Sequence, residues 1–133
     1  DAFKANSTIP YQLATQEAVQ KIYDSLDEDG VVLSNIVTTQ PLQRANFLLT
    51  EYKTLQSVFP QVFLFNMDMN PKDRVTGNYV LMALKSSDPT FFNPQNLVFQ
   101  GYAMHLVRDP LVTPLAILTD EFAPVDRYTA YGR

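Results

Sequence analysis

Ala18, Val19, Ile22, Tyr23 and Leu26 recur at helical spacing and predict one apolar helix face. Thr15 suits the N-cap of that helix, with Glu17 in its positive first turn. Asp27, Glu28 and Asp29 end it as a solvated acidic run. Acidic groups at a helix C-terminus oppose the macrodipole, so the last turn is expected to fray. Gly30 is expected in the left-handed conformation that often follows a helix. Residues 1–13 read as a loop, because Pro10 and the run Asn6-Ser7-Thr8 resist regular structure.

Residues 31–37 predict a strand. The continuous apolar run Val31-Val32-Leu33 predicts burial on both faces of a parallel sheet. Thr38 or Thr39 suits the cap of a second helix, with Pro41 near its first turn. Leu42, Ala45, Leu48, Leu49, Tyr52, Leu55 and Val58 trace its buried stripe, and Pro60 stops it. Residues 61–67 form a second strand around Val62, Phe63, Leu64 and Phe65. Asn70-Pro71 and Thr76-Gly77 mark a connection too short for a crossover helix. The third strand, 79–84, should therefore run antiparallel. Beyond Lys85 the pattern thins. Asp88-Pro89 and Asn93-Pro94 signal turns, 96–102 a short helix, 115–118 a brief extended segment, and the remainder a tail. The order of elements predicts the back end of an α/β sheet: a partial Rossmann-like, three-layer architecture closed by an antiparallel hairpin.

Composition narrows the chemistry. With 133 residues the chain suits one domain and one core. A net charge of −4 leaves no basic stripe for nucleic acid. The absence of cysteine removes disulfides, thiolate catalysis and the usual zinc sites. No apolar run approaches the roughly 20 residues that span a bilayer. His105 is the only histidine, which leaves no histidine-based triad or metal cluster and favours an ordinary loop residue.

Other residues have a chemical and a plain reading. Asn35 near the end of a strand stands where α/β proteins place ligands, or it caps backbone. Asp120, Glu121 and Asp126 reach toward a pocket or pair with Arg127 on the surface. Phe47, Phe59, Phe63 and Phe65 read as core.

A series of short segments carries a family resemblance. Asp1-Ala2-Phe3, the run Ile9-Pro10-Tyr11-Gln12-Leu13-Ala14-Thr15-Gln16-Glu17, residues 26–35, Phe59-Pro60-Gln61-Val62, and 118–125 resemble spermidine/spermine synthase-family proteins. The similarity runs along most of the chain and is thinnest between residues 86 and 114. It implies the C-terminal half of a class I methyltransferase-like domain, beginning at the end of that domain's fourth strand. It implies aminopropyl transfer from decarboxylated S-adenosylmethionine to a polyamine, or a related S-adenosylmethionine-dependent transfer, in a cytoplasmic enzyme. Asp1 matches the aspartate that holds and deprotonates the attacking amine, a task that suits a carboxylate. Tyr11 and Gln12 fall in the loop that the resemblance lays over the substrate.

Two departures qualify that reading. Where the synthases usually carry a second aspartate followed by proline, this chain has Lys4 and Ala5, and a lysine repels a cationic amine. This favours the alternative of a non-catalytic homologue acting as a binding or scaffold domain. The glycines are Gly30, Gly77, Gly101 and Gly132, with no G-x-G turn for the adenosyl cofactor. No cofactor is therefore expected to be held by this chain itself. The chain is expected to be one piece of a longer protein and inactive alone. Its strand 31–37, deprived of a neighbour, is expected to pair with a second copy in a homodimer, unless residues 1–13 or the tail fold across it.

Overall fold

The structure, a computed structural model, describes residues 11–68, 76–90 and 97–129. Asp1, Lys4 and the turn residues Asn70, Pro71, Asn93 and Pro94 lie outside the described residues. A single 3₁₀ turn, Tyr11–Leu13, leads into helix α1, Gln16–Ser25. Thr15 caps α1 as expected: its Oγ1 accepts from the Ala18 amide at 3.3 Å. The C-terminal turn is held rather than frayed. Lys85 Nζ donates to the carbonyls of Tyr23 and Leu26 at 2.9 and 2.7 Å, supplying the positive charge that the sequence near the helix end lacks.

Strand β1, Val31–Thr39, follows Gly30. Gly30 does not adopt a positive φ, contrary to expectation. Glycine is required there by close approach instead. A Cβ would lie 2.6 Å from Leu26 Cβ and 2.8 Å from the Asp27 carbonyl oxygen. Thr38 and Thr39 do not cap a helix. They remain in the β ladder opposite Gly77 and Thr76. A 3₁₀ turn, Leu42–Arg44, intervenes before helix α2, Asn46–Gln56, whose N-cap position is Ala45.

Strands β2, Gln61–Asn66, and β3, Thr76–Leu84, complete the sheet in the order β1-β3-β2. Both outer strands pair antiparallel with β3, so β1 and β2 are parallel to one another with β3 between them. The register gives each strand two faces. Val32, Ile36, Tyr79, Leu81, Ala83, Val62 and Leu64 share the face that packs with Val19, Phe47, Leu48 and Leu55 of the helices. The other face carries Val31, Leu33, Asn35 and Val37 of β1. Leu33 is 64 % exposed, so the run Val31-Val32-Leu33 is covered from one side.

Helix α2 is buried well beyond its predicted stripe. Ala45, Leu48, Leu49 and Leu55 are buried as expected, and Phe47, Thr50, Glu51 and Thr54 are buried too. Thr50 and Thr54 tolerate this because their hydroxyls donate to the carbonyls of Asn46 and Thr50 at 2.7 and 2.8 Å. The extra burial comes from the end of the chain. Helix α3, Leu97–Ala103, is followed by an irregular segment, and helix α4, Val125–Thr129, closes the described residues. Leu118 and Val125 are buried in the common core, so the expected tail is structural. Among residues 115–118 no strand forms. The Leu118 amide donates instead to Thr54 Oγ1 at 3.0 Å.

Candidate functional site

Because β1 and β2 run parallel, their C-terminal ends open on the same side of the sheet. In open α/β sheets that side holds ligands. Here Gln40 follows β1, Asp68 follows β2, and Gly77 and Asn78 begin β3. Asp68 Oδ2 accepts from Gln40 Nε2 at 3.1 Å and from the Asn78 amide at 3.0 Å. The Asp68 amide donates to Asn66 Oδ1 at 3.0 Å. A Cβ on Gly77 would meet Gln40 Nε2 at 2.5 Å, Tyr79 Cε2 at 2.7 Å and Asp68 Oδ2 at 3.0 Å, so glycine lets the three strand ends close on one carboxylate. Burial pushes the Tyr79 phenol above its usual range, and the Asp68 charge adds to the shift. Asn78, whose backbone amide donates to Asp68, keeps its own side-chain Oδ1 buried without a hydrogen-bond donor.

The expected site residues come from other parts of the chain. Asp1 lies outside the described residues. Tyr11 and Gln12 sit together on the turn before α1, and Gln12 is exposed. Asn35 lies in mid-strand opposite Val80, on the exposed face of β1. It is not at the strand's end, because the ladder continues to Thr39. Asp120 bonds to Thr15 rather than forming the expected surface pair with Arg127: its Oδ1 accepts from Thr15 Oγ1 at 2.6 Å. Glu121 is exposed.

His105 belongs to a short extension of the sheet rather than to a free loop. The Asn66 amide donates to the His105 carbonyl at 2.8 Å, and the Val107 amide to the Leu64 carbonyl at 2.8 Å. Its Nδ1, 2.9 Å from the Asn66 carbonyl oxygen, therefore carries a proton and donates. Phe47, Phe59 and Phe65 are core, as expected.

Two groups escaped the sequence reading. Asp68 was indistinguishable from a solvated residue after a strand. Glu51 lies in the helical pattern where a lone carboxylate among leucines was the available signal. It is 6 % exposed, its Oε2 has no hydrogen-bond donor, and burial pushes its carboxyl up to about 8.

No protein-family model and no curated protein matches the sequence. Solved structures do match. A probable spermidine synthase from Corynebacterium glutamicum ATCC 13032 aligns with a TM-score of 0.53 and 18% identity, over 87% of this chain and 48% of its own. Spermidine synthase from Thermotoga maritima aligns with a TM-score of 0.50 and 22% identity, over 93% of this chain and 38% of its own. The fold is part of that of the spermidine synthases. It is a partial methyltransferase-like fold, as the family resemblance implied. The chain spans less than half the length of either structure.

Among the described residues, the two glycines beside the strands are closely packed. Gly30 is packed on Leu26 and Asp27, and Gly77 on Gln40, Tyr79 and Asp68. Neither offers an open backbone turn to a phosphate or a nucleoside. Among the described residues, none gather into a group that would hold a metal ion, and no helix is long and apolar enough to cross a membrane.

Proposed function

We propose that this chain is the amine-binding part of a spermidine-synthase-like transferase of polyamine biosynthesis, and that the groups holding decarboxylated S-adenosylmethionine lie outside it. The observation that carries this reading is the fold likeness to two solved spermidine synthases, aligned over 87–93% of the chain. The sequence resemblance at Asp1 and at Tyr11-Gln12 supplies the roles. Asp1 binds the substrate ammonium and accepts its proton, while Tyr11 and Gln12 line the approach. Transfer of a methyl group in place of aminopropyl is the nearest variant of this chemistry. The isolated chain is inactive in this reading. Its partner is a second copy, paired through β1, the strand at the end of the sheet order.

The test is aminopropyl transfer to diamines by the protein at its full natural length, beside calorimetry on the 133-residue chain. Expected are turnover in the former, lost about 10²–10⁴-fold in Asp1→Asn, and no cofactor binding by the latter. Lys4, where a second carboxylate is usual, favours a second reading: a homologue that kept the fold and lost the chemistry. Full-length protein that binds the adenosyl cofactor yet transfers neither group establishes that reading instead.

A further inference from the structure

Residues 118–120 meet the first turn of α1. Thr15 is fully buried there, and its Oγ1 accepts from the Ala18 amide. A threonine hydroxyl has one proton to give. That proton goes to Asp120 Oδ1, 2.6 Å away and 105 positions further along the chain. Donation to Asp120 turns the hydroxyl lone pairs toward the helix, so the two bonds reinforce one another. The Asp120 amide donates back to Glu17 Oε2 at 3.0 Å, and the Gln16 amide donates to the Leu118 carbonyl at 2.7 Å. Leu118 is itself tied to α2 through Thr54. Residues 118–120 thus grip the start of α1 from a fixed base. Ala14, also buried, and the turn Tyr11–Leu13 lie immediately before the gripped residue.

We propose that Asp120 is a positioning residue for amine recognition, which by holding Thr15 fixes the turn that presents Tyr11 and Gln12 to the amine. This rests on the roles given to Tyr11 and Gln12 under the proposed function. Asp120 acts through Thr15 and touches no substrate.

Asp120→Ala removes the acceptor, and Asp120→Asn keeps one for the Thr15 hydroxyl. Two readouts are needed: amide exchange at Tyr11–Leu13 in this chain, and amine KM against kcat in the protein at its full natural length. In Asp120→Ala, exchange at those amides should quicken about tenfold, as expected when one charge-assisted tie is cut. The amine KM should rise by a similar factor with kcat largely kept, the mark of lost substrate binding. Asp120→Asn should restore most of both losses. Unchanged exchange in the alanine variant overturns the proposal. So does faster exchange with an unchanged amine KM, and so does a fall in kcat that asparagine fails to rescue. If the unsubstituted protein neither binds nor transfers to an amine, the proposed function is at fault, and Asp120 loses its role with it. The exchange result then stands alone and tells the two failures apart.

Discussion

The Lys85 ammonium, just beyond β3, lies 2.9 Å from the carbonyl of Tyr23 in the last turn of α1 and 4.8 Å from the centroid of the same residue's ring. One side chain therefore caps the helix and ties helix to sheet. The Tyr23 ring in turn meets Phe59 edge-on at 5.1 Å, so the contact extends into the core. Lys85→Met keeps the aliphatic stem and removes the charge. It is expected to lower unfolding free energy by about 1–2 kcal/mol, combining a lost helix-end charge and lost charge-assisted bonds on a half-buried group. Urea unfolding measures it, and an unchanged midpoint would show that solvent satisfies those carbonyls equally well.

Two glycines should respond oppositely to alanine. At Gly30 the new Cβ meets Leu26 Cβ at 2.6 Å and a backbone oxygen at 2.8 Å, neither of them a flexible side-chain end. Overpacking of this kind costs about 1–3 kcal/mol. At Gly101, exposed in α3, a Cβ meets nothing within 4 Å. Alanine there restricts the unfolded chain and favours the helix, a gain of about 0.4–1 kcal/mol. Thermal melts of the two variants should move in opposite directions.

Local chemistry made several elements legible. The spacing of Val19, Ile22 and Tyr23, the Thr15 cap and the short connection after β2 each act within a few residues, and the structure bears each of them out. What was missed depends on distant partners. That β3 enters between β1 and β2 follows from pairs such as Val31 with Leu84. The burial of Thr54 follows from Leu118, 64 positions away. Gly30 follows a helix, as its residue type suggests, but what requires glycine is the close approach to Leu26, which exists only once the turn is folded. Gln40, Asp68 and Asn78 come from three strand ends, and no spacing in the sequence unites them.

Leu33 provides a test of self-association. It projects from the exposed face of the terminal strand β1, beside Val31. A charge at such a position is the usual natural defence against edge-to-edge association. Leu33→Lys is expected to weaken dimerisation at least about tenfold while changing monomer stability little, as surface substitutions generally do. Sedimentation equilibrium of both forms decides it. A wild-type chain that stays monomeric at high micromolar concentration ends the homodimer proposal.

Glu51 should make stability fall with rising pH. Its carboxyl titrates near 8 in the folded chain against an ordinary value of 4.5, because burial disfavours the charged form. Between those values the folded state keeps a proton that the unfolded state has released. The stabilising contribution of the neutral acid is thus fully present below 4.5 and is lost as pH rises toward about 8. The slope for one such group approaches about 1.4 kcal/mol per pH unit within that window. Above it both states are ionised, and the contribution levels off. Glu51→Gln retains the shape and cannot ionise, so it should flatten this part of the profile and overtake the wild type in stability toward pH 8. Below pH 4.5 the advantage should vanish, since wild-type Glu51 is then neutral in both states. Chemical unfolding of both proteins at a series of pH values gives the comparison. Parallel profiles from pH 5 to 8 would mean that the buried carboxylate finds a donor or water on ionising, and that Glu51 does not govern the alkaline limb.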